Sequence, residues 1–197
     1  LWVAAHTYRD HIDFELLNRV WDQLRCENSA LLSLEDQGEY ALGIATCQYL
    51  AGDKIESLKA VDGIIGKLEG QGILNSIYLS LIVGLGAIRT GLGDYDQAVV
   101  LGEKGVQVAR KVGDERRLRM LAGNLALSHC RLGNLDSQLE WADRAAAIPA
   151  SYTGVFEQQQ IHFSRARAYA IQGKESDALA ALASGKTVGA RPVPEHL

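Results

Sequence analysis

Proline is scarce in this sequence, with 3 residues in 197. The chain therefore meets few enforced breaks, which favours long helices over a many-turned β fold. Aromatic residues make up only 7% of it, and there is a single Met. The three cysteines, Cys26, Cys47 and Cys130, are odd in number and widely spaced. They do not form a disulfide framework and predict reduced thiols in a cytoplasmic protein. Neither sign of charge predominates: 20 Lys and Arg stand against 24 Asp and Glu, a net charge of −4. That balance leaves no electrostatic footprint for binding nucleic acid or lying on an anionic membrane. No uninterrupted apolar run approaches the roughly 20 residues of a membrane span. No signal peptide is visible, and the first residue is Leu1 rather than Met, which predicts a fragment or a processed product. What remains is the composition of a folded globular chain, 47% hydrophobic and 22% charged, which excludes global disorder.

Glycine, by contrast, is plentiful at 20 residues, and some of it is periodic. Four strings look alike: Ala51-Gly52-Asp53-Lys54, Leu92-Gly93-Asp94-Tyr95, Leu132-Gly133-Asn134-Leu135 and Gln172-Gly173-Lys174-Glu175. Their glycines are 41, 40 and 40 residues apart. Seven residues before each glycine stands a small residue, Ala45, Gly86, Ala126 or Ala166, and five after it stand Ser57, Ala98, Gln138 and Ala178. A further step back reaches Asp13, which predicts a fifth unit truncated at its start. Fixed periods of this length are the mark of repeat architectures.

Between the marks the spacing is helical. Ala98, Leu101, Gly102, Gly105, Val108, Ala109 and Val112 form one stripe, and Tyr78, Leu81, Ile82, Leu85 and Gly86 form another. A Gly just past a stripe ends one helix, and the following Asp or Asn is expected to cap the next. The predicted helix pairs are 30–51 with 53–69, 73–91 with 94–112, 114–132 with 134–147, and 155–172 with 174–185, preceded by a lone helix near 13–28. One such hairpin cannot bury its apolar stripe alone, so neighbours must stack into a one-dimensional array. Small residues facing one another let the helix backbones approach closely. The predicted organisation is one repeat domain over 1–186 and a loose tail over 187–197, which carries Pro192 and Pro194.

The string Leu92-Gly93-Asp94-Tyr95-Asp96-Gln97-Ala98, with Gly86 before it, resembles the turn and second-helix start of a tetratricopeptide repeat. Gly173 with Ala166 and Ala178 resembles it as well. In the fourth unit Gln138 replaces the family Ala. The large aromatic early in the first helix is absent, with Ala41, Ile82, Ala122 and His162 in its place. The period is also 40 rather than about 34, which lengthens each helix by nearly one turn. The resemblance implies an all-α fold: a right-handed superhelical solenoid of antiparallel hairpins, with about four complete repeats and a truncated first one. Lengthened repeats of this kind resemble those of bacterial signalling proteins, beside diguanylate cyclase or LuxR-type output domains. The implied function is recognition of a partner or ligand rather than chemistry.

The residues themselves offer no catalytic constellation. His6, His11, His129, His162 and His196 are scattered, and no HxxxH or HxxE spacing falls on one helix. His129 and His162 read as hydrogen-bonded core histidines, and the cysteines as small buried hydrophobes. No phosphate-binding Gly-rich loop or nucleophile elbow is present, and Gly84-Leu85-Gly86 reads as close helix packing. Neither an enzyme nor a cofactor or metal site is expected. The cluster Arg110, Lys111, Arg116, Arg117 and Arg119 holds Asp114 and Glu115 within it. It reads as a solvated connector, with a contact patch for an acidic partner or phosphate as the alternative.

The resemblance implies that the first helices line a concave face. Counting by the period places Glu39, Leu42 and Thr46 there in the second unit, and Ser80, Val83 and Ala87 in the third. Met120, Gly123 and Leu127 follow in the fourth, with Asn124 beside them, and Gln160, Phe163 and Arg167 in the fifth. Chaperone-binding members of the family clamp a C-terminal carboxylate with Lys and Asn at such positions, and this chain carries neither residue pattern. The groove reads as mostly apolar with one cation, Arg167. The leading expectation is a protein- or peptide-binding scaffold, the sensory or regulatory part of a larger bacterial signalling protein, whose partner is a protein or peptide segment or another domain of its own parent chain. A receptor for a short peptide or small-molecule effector, and a self-association module joining repeat ends into a homo-oligomer, stay open beside it. No nucleic acid and no membrane is expected as a partner.

Overall fold

A glycine in a left-handed conformation closes the first helix of every hairpin. Gly52, Gly93, Gly133 and Gly173 have φ of 97°, 84°, 78° and 73°, a region that costs a side-chain-bearing residue about 1–2 kcal/mol. Each glycine N–H bonds a carbonyl three residues back, and the next N–H bonds one five back. For Gly93 and Asp94 the acceptors are Thr90 at 3.2 Å and Arg89 at 3.0 Å; for Gly173 and Lys174 they are Ala170 at 3.1 Å and Tyr169 at 2.9 Å. This double closure satisfies carbonyls that the helix end leaves open.

The computed structural model describes residues 32–149 and 155–188. Within them lie eight α-helices and no strand: α1 Leu34–Ala51, α2 Lys54–Gly70, α3 Ser76–Leu92, α4 Tyr95–Val112, α5 Glu115–Leu132, α6 Leu135–Ala147, α7 Val155–Ile171 and α8 Glu175–Thr187. The expected helix near 13–28, with Asp13, lies outside the described residues, as does the tail beyond 188. The first pair starts at Leu34 rather than 30, because Ser33 caps it: its Oγ accepts from the Asp36 N–H at 3.1 Å and donates to Asp36 Oδ2 at 2.7 Å. Asn75 likewise starts α3 later than the expected 73, accepting from Ile77 and Tyr78 N–H. The last helix runs two residues past the expected 185.

The expected caps hold only in part. Asp53 and Asp114 accept from the backbone N–H of Glu56 and Arg117. Asp94 sits at the N-cap of α4 but caps nothing with its side chain. Arg89 Nη1 holds its Oδ2 at 2.7 Å instead, and a charged, partly shielded pair outcompetes one neutral donor. Asn134 occupies the same place before α6 without a side-chain cap bond.

Each second helix packs on the first helix of the next unit, and first helices also touch across each boundary, α1 on α3, α3 on α5 and α5 on α7. Second helices of neighbouring units make no comparable contact. An array whose first helices converge while its second helices splay is curved, with the first helices on the inside.

The core is continuous through the described units and heaviest around α3, where Tyr78, Leu79, Leu81, Ile82, Leu85 and Ile88 are all fully buried. Tyr78 keeps its hydroxyl satisfied by donating to Glu69 Oε1 at 2.9 Å, and Lys104 Nζ reaches the same oxygen at 2.6 Å. The periodic small residues behave as the period requires in three units: Ala45, Ser57, Ala98, Ala126 and Gln138 are buried, as is Gly86. Close approach is strictest elsewhere. A methyl on Gly105 would fall 2.8 Å from Ile82 Cγ2 and 2.9 Å from Leu121 Cδ2, whereas one on Gly86 would meet nothing.

Ala166 departs from the expectation of a close helix crossing. It is half-buried, because no described residue stacks on that side of α7. Ala98→Leu should therefore overpack α4 and lower stability by about 1–3 kcal/mol, whereas Ala166→Leu should leave the chemical-denaturation midpoint nearly unchanged. An unchanged midpoint for Ala98→Leu would show that its surroundings are not close-packed.

Candidate binding groove

The inner wall of first helices carries three rows of residues related by the period. Glu39, Ser80, Met120 and Gln160 form the first row; Leu42, Val83, Gly123 and Phe163 the second; Thr46, Ala87, Leu127 and Arg167 the third. Towards α1 and α3 much of the wall is used internally. Leu42 lies over Gly84, where a methyl would come within 2.6 Å of its Cδ1, and Leu42 and Val83 both pack on the core. Thr46 is buried, and its hydroxyl donates to the Leu42 carbonyl at 2.8 Å. Ser80 Oγ accepts from Arg117 Nε and Nη2 at 3.0 and 2.9 Å. Arg117 also pairs with Asp114 at 3.0 Å, so this side chain ties α5 to α3. Ala87 is half-buried, and Glu39 alone among these six is exposed.

Towards α5 and α7 the wall opens. Leu127 is 39% exposed and Phe163 38%, and Gln160 and Arg167 are exposed as well. Met120, Gly123 and Asn124 are half-buried between them. Phe163 is divided between two roles: one edge of its ring lies on Gly185 of α8, where a methyl would come within 2.7 Å of Cε1. Arg167 donates through Nη1 to Cys130 Sγ on α5. Leu127 and Arg167 are one period apart, so an apolar side chain and a guanidinium stand side by side on adjacent inner helices.

The basic cluster at the α4–α5 break does not act as one patch. Arg110, Lys111 and Arg116 are exposed, Arg117 turns into the groove, and Arg119 is buried and donates to the Ile148 carbonyl. The signal for Arg119 lies in the period: it stands one residue before Met120, about 100° around α5 from that groove residue. Nothing in the spacing marked Arg117 as the link to Ser80.

The two histidines differ from the expected hydrogen-bonded core residues. Neither Nδ1 has a hydrogen-bond partner. Burial lowers the pKa of His129, against a smaller upward pull from Glu103 and Glu140. Burial lowers that of His162 too, and the positive charges of Arg165 and Arg119 add to the effect. Glu69 is also held below the usual carboxylate range: burial works the other way, but bonds from Lys104 and Tyr78 outweigh it. Among the described residues no group of three or more His, Cys, Asp or Glu stands close enough to hold a metal ion. No described helix is long and apolar enough to cross a membrane.

The chain has a TPR-like solenoid fold. Solved structures establish this. BtubC (BKLC) from P. vanneervenii superposes with a TM-score of 0.78 at 14% identity, covering 99% of this chain and 82% of that one. The Rap conjugation gene regulator of plasmid pLS20, in complex with the Phr* peptide, gives 0.74 at 14% identity, covering 93% and 50%. A Podosopora anserina putative kinesin light chain with nearly identical TPR-like repeats gives 0.70 at 16% identity, covering 96% and 93%. At these identities the likeness is one of fold. The chain spans half the length of the Rap regulator. No protein-family model matches it, and no curated protein matches it by sequence.

Within this TPR-like array the histidines predict a pH response. Their folded pKa values lie below the unfolded value of about 6.5, so the unfolded chain takes up protons first as pH falls. The stability due to the neutral imidazoles is complete above about pH 6.5 and is lost as pH drops through that value towards the folded pKa. Thermal melts should therefore fall between about pH 7.5 and 5.5, and His129→Gln should flatten that fall. A melting temperature independent of pH over this range would contradict the assignment.

Proposed function

We propose that the chain is a non-catalytic recognition scaffold, the regulatory segment of a larger bacterial signalling protein in the cytoplasm, and that it binds an extended acidic peptide segment along α5 and α7. The observation that carries this reading is the pair Leu127 and Arg167, exposed one period apart on the inner wall. An apolar contact beside a planar, two-pronged donor suits a segment that alternates a hydrophobic side chain with a carboxylate. The likeness to a peptide-bound Rap regulator supports a peptide as the occupant. The closed α1–α3 half of the wall, with Thr46 buried and Ser80 engaged by Arg117, supports confinement of the site to the other half.

Screening short acidic and neutral peptides by fluorescence anisotropy tests the reading. Acidic peptides should bind, and Arg167→Glu should weaken the best of them by roughly 10- to 100-fold, the range of one charge-assisted pair, with helicity unchanged. Leu127→Asp should weaken the same peptide. Affinity that survives both changes would remove the groove from consideration.

A further inference from the structure

The outer side of the α7–α8 hairpin repeats, in register, a surface that is buried three times earlier in the chain. Position 166 corresponds to Ala45, Gly86 and Ala126; position 178 to Ser57, Ala98 and Gln138; position 182 to Val61, Gly102 and Ala142. All nine of those residues are buried. Gln138 shows what this register faces: its Nε2 donates to the Ser164 carbonyl at 2.8 Å, on the next first helix. At the fourth occurrence the same positions are open. Leu179 is 59% exposed and Leu182 36%, Ala166 and Ala178 are half-buried, and Ala170 is exposed. These residues, with Gly173 and Glu175, surround a shallow depression of about 460 Å³.

We propose that this face joins two copies of the chain about a two-fold axis, with α8 packed antiparallel on α8 of the partner. Two observations select a second copy. First, the surface carries both halves of a contact. Leu179 and Leu182 project from it beside a trough made by Ala166, Ala170, Gly173 and Ala178. An isologous interface requires such self-complementarity. At position 182 the internal interfaces carry Val61, Gly102 and Ala142, so Leu182 adds bulk that the earlier units do not have. Second, α8 is acidic at its start, with Glu175 and Asp177, and basic at its end, with Lys186. Antiparallel pairing sets each acidic end beside the basic end of the partner and opposes the two helix dipoles. The surface is separate from the groove on α5 and α7, so the inference goes beyond the proposed peptide site.

Sedimentation of the 197-residue chain from micromolar to millimolar concentration tests it. A monomer–dimer equilibrium is expected. Leu179→Glu with Leu182→Glu should raise the dissociation constant by on the order of 100-fold, two apolar anchors per copy being lost, while circular dichroism stays the same. Lys186→Glu alone should weaken the dimer, and adding Glu175→Lys to it should restore association. Arg167→Glu should leave it untouched, which separates this face from the peptide groove. The same runs on a chain ending at residue 188 identify the occupant. A chain that is monomeric throughout, a dimer indifferent to the leucine changes, or dimerisation seen only after removal of residues 189–197 would each overturn the proposal.

Discussion

The fold rests on one backbone constraint, the left-handed residue that joins the two helices of a hairpin. At Gly52, Gly93, Gly133 and Gly173 two consecutive N–H groups turn back to bond the helix just completed. The next residue is already the start of the following helix. No loop length is left to vary, so the same closure recurs in each pair. Repetition of one local geometry then fixes the relation between neighbouring pairs, because each second helix has one apolar side and one following helix to cover it. Inner helices touch across each boundary and outer helices make no comparable contact, so curvature is a by-product of where the apolar stripes lie.

That curvature decides which polar groups remain available. In the α1–α3 half of the wall, Thr46 is spent on a carbonyl of its own helix and Ser80 on Arg117. In the α5–α7 half, the same rows hold Leu127, Phe163 and Arg167 with surface to spare. The difference lies in side-chain size. Leu42 can lie down on the neighbouring helix because Gly84 leaves room for it. Gly123 has no side chain to lay across the next boundary, and among the described residues a methyl there would meet only Ile161 at 3.9 Å.

Much of this architecture was legible in the sequence because its signals are local. A glycine that must have positive φ, a stripe at helical spacing and a period of 40 can each be read without knowing what packs on what. The helix pairs and their order followed directly, and their ends were displaced by a few residues wherever Ser33 or Asn75 offered a better cap. What could not be read were interactions set by the third dimension. Asp94 was drawn from its capping role by Arg89, and Arg117 crossed to Ser80 on another helix. Phe163 belongs to a groove row by count, yet Gly185 draws part of its ring into the hairpin. A row position says which side of a helix a residue occupies; only the packing says how much of it is left over.

The uneven core has a dynamic consequence. Six large side chains of α3 are fully sealed, whereas among the described residues of α7 and α8 the buried apolar set holds Ile161, Ala168 and Ala181. In a linear array each unit is stabilised by its own interior and by its neighbours. Local opening is therefore expected first in the α7–α8 hairpin and last in α3, with amide exchange slower in α3. The open half of the groove straddles the border between the slow and the fast part. A segment bridging α5 and α7 would fasten the loose hairpin to the firm one, so occupancy there would be felt as a stiffening of the array.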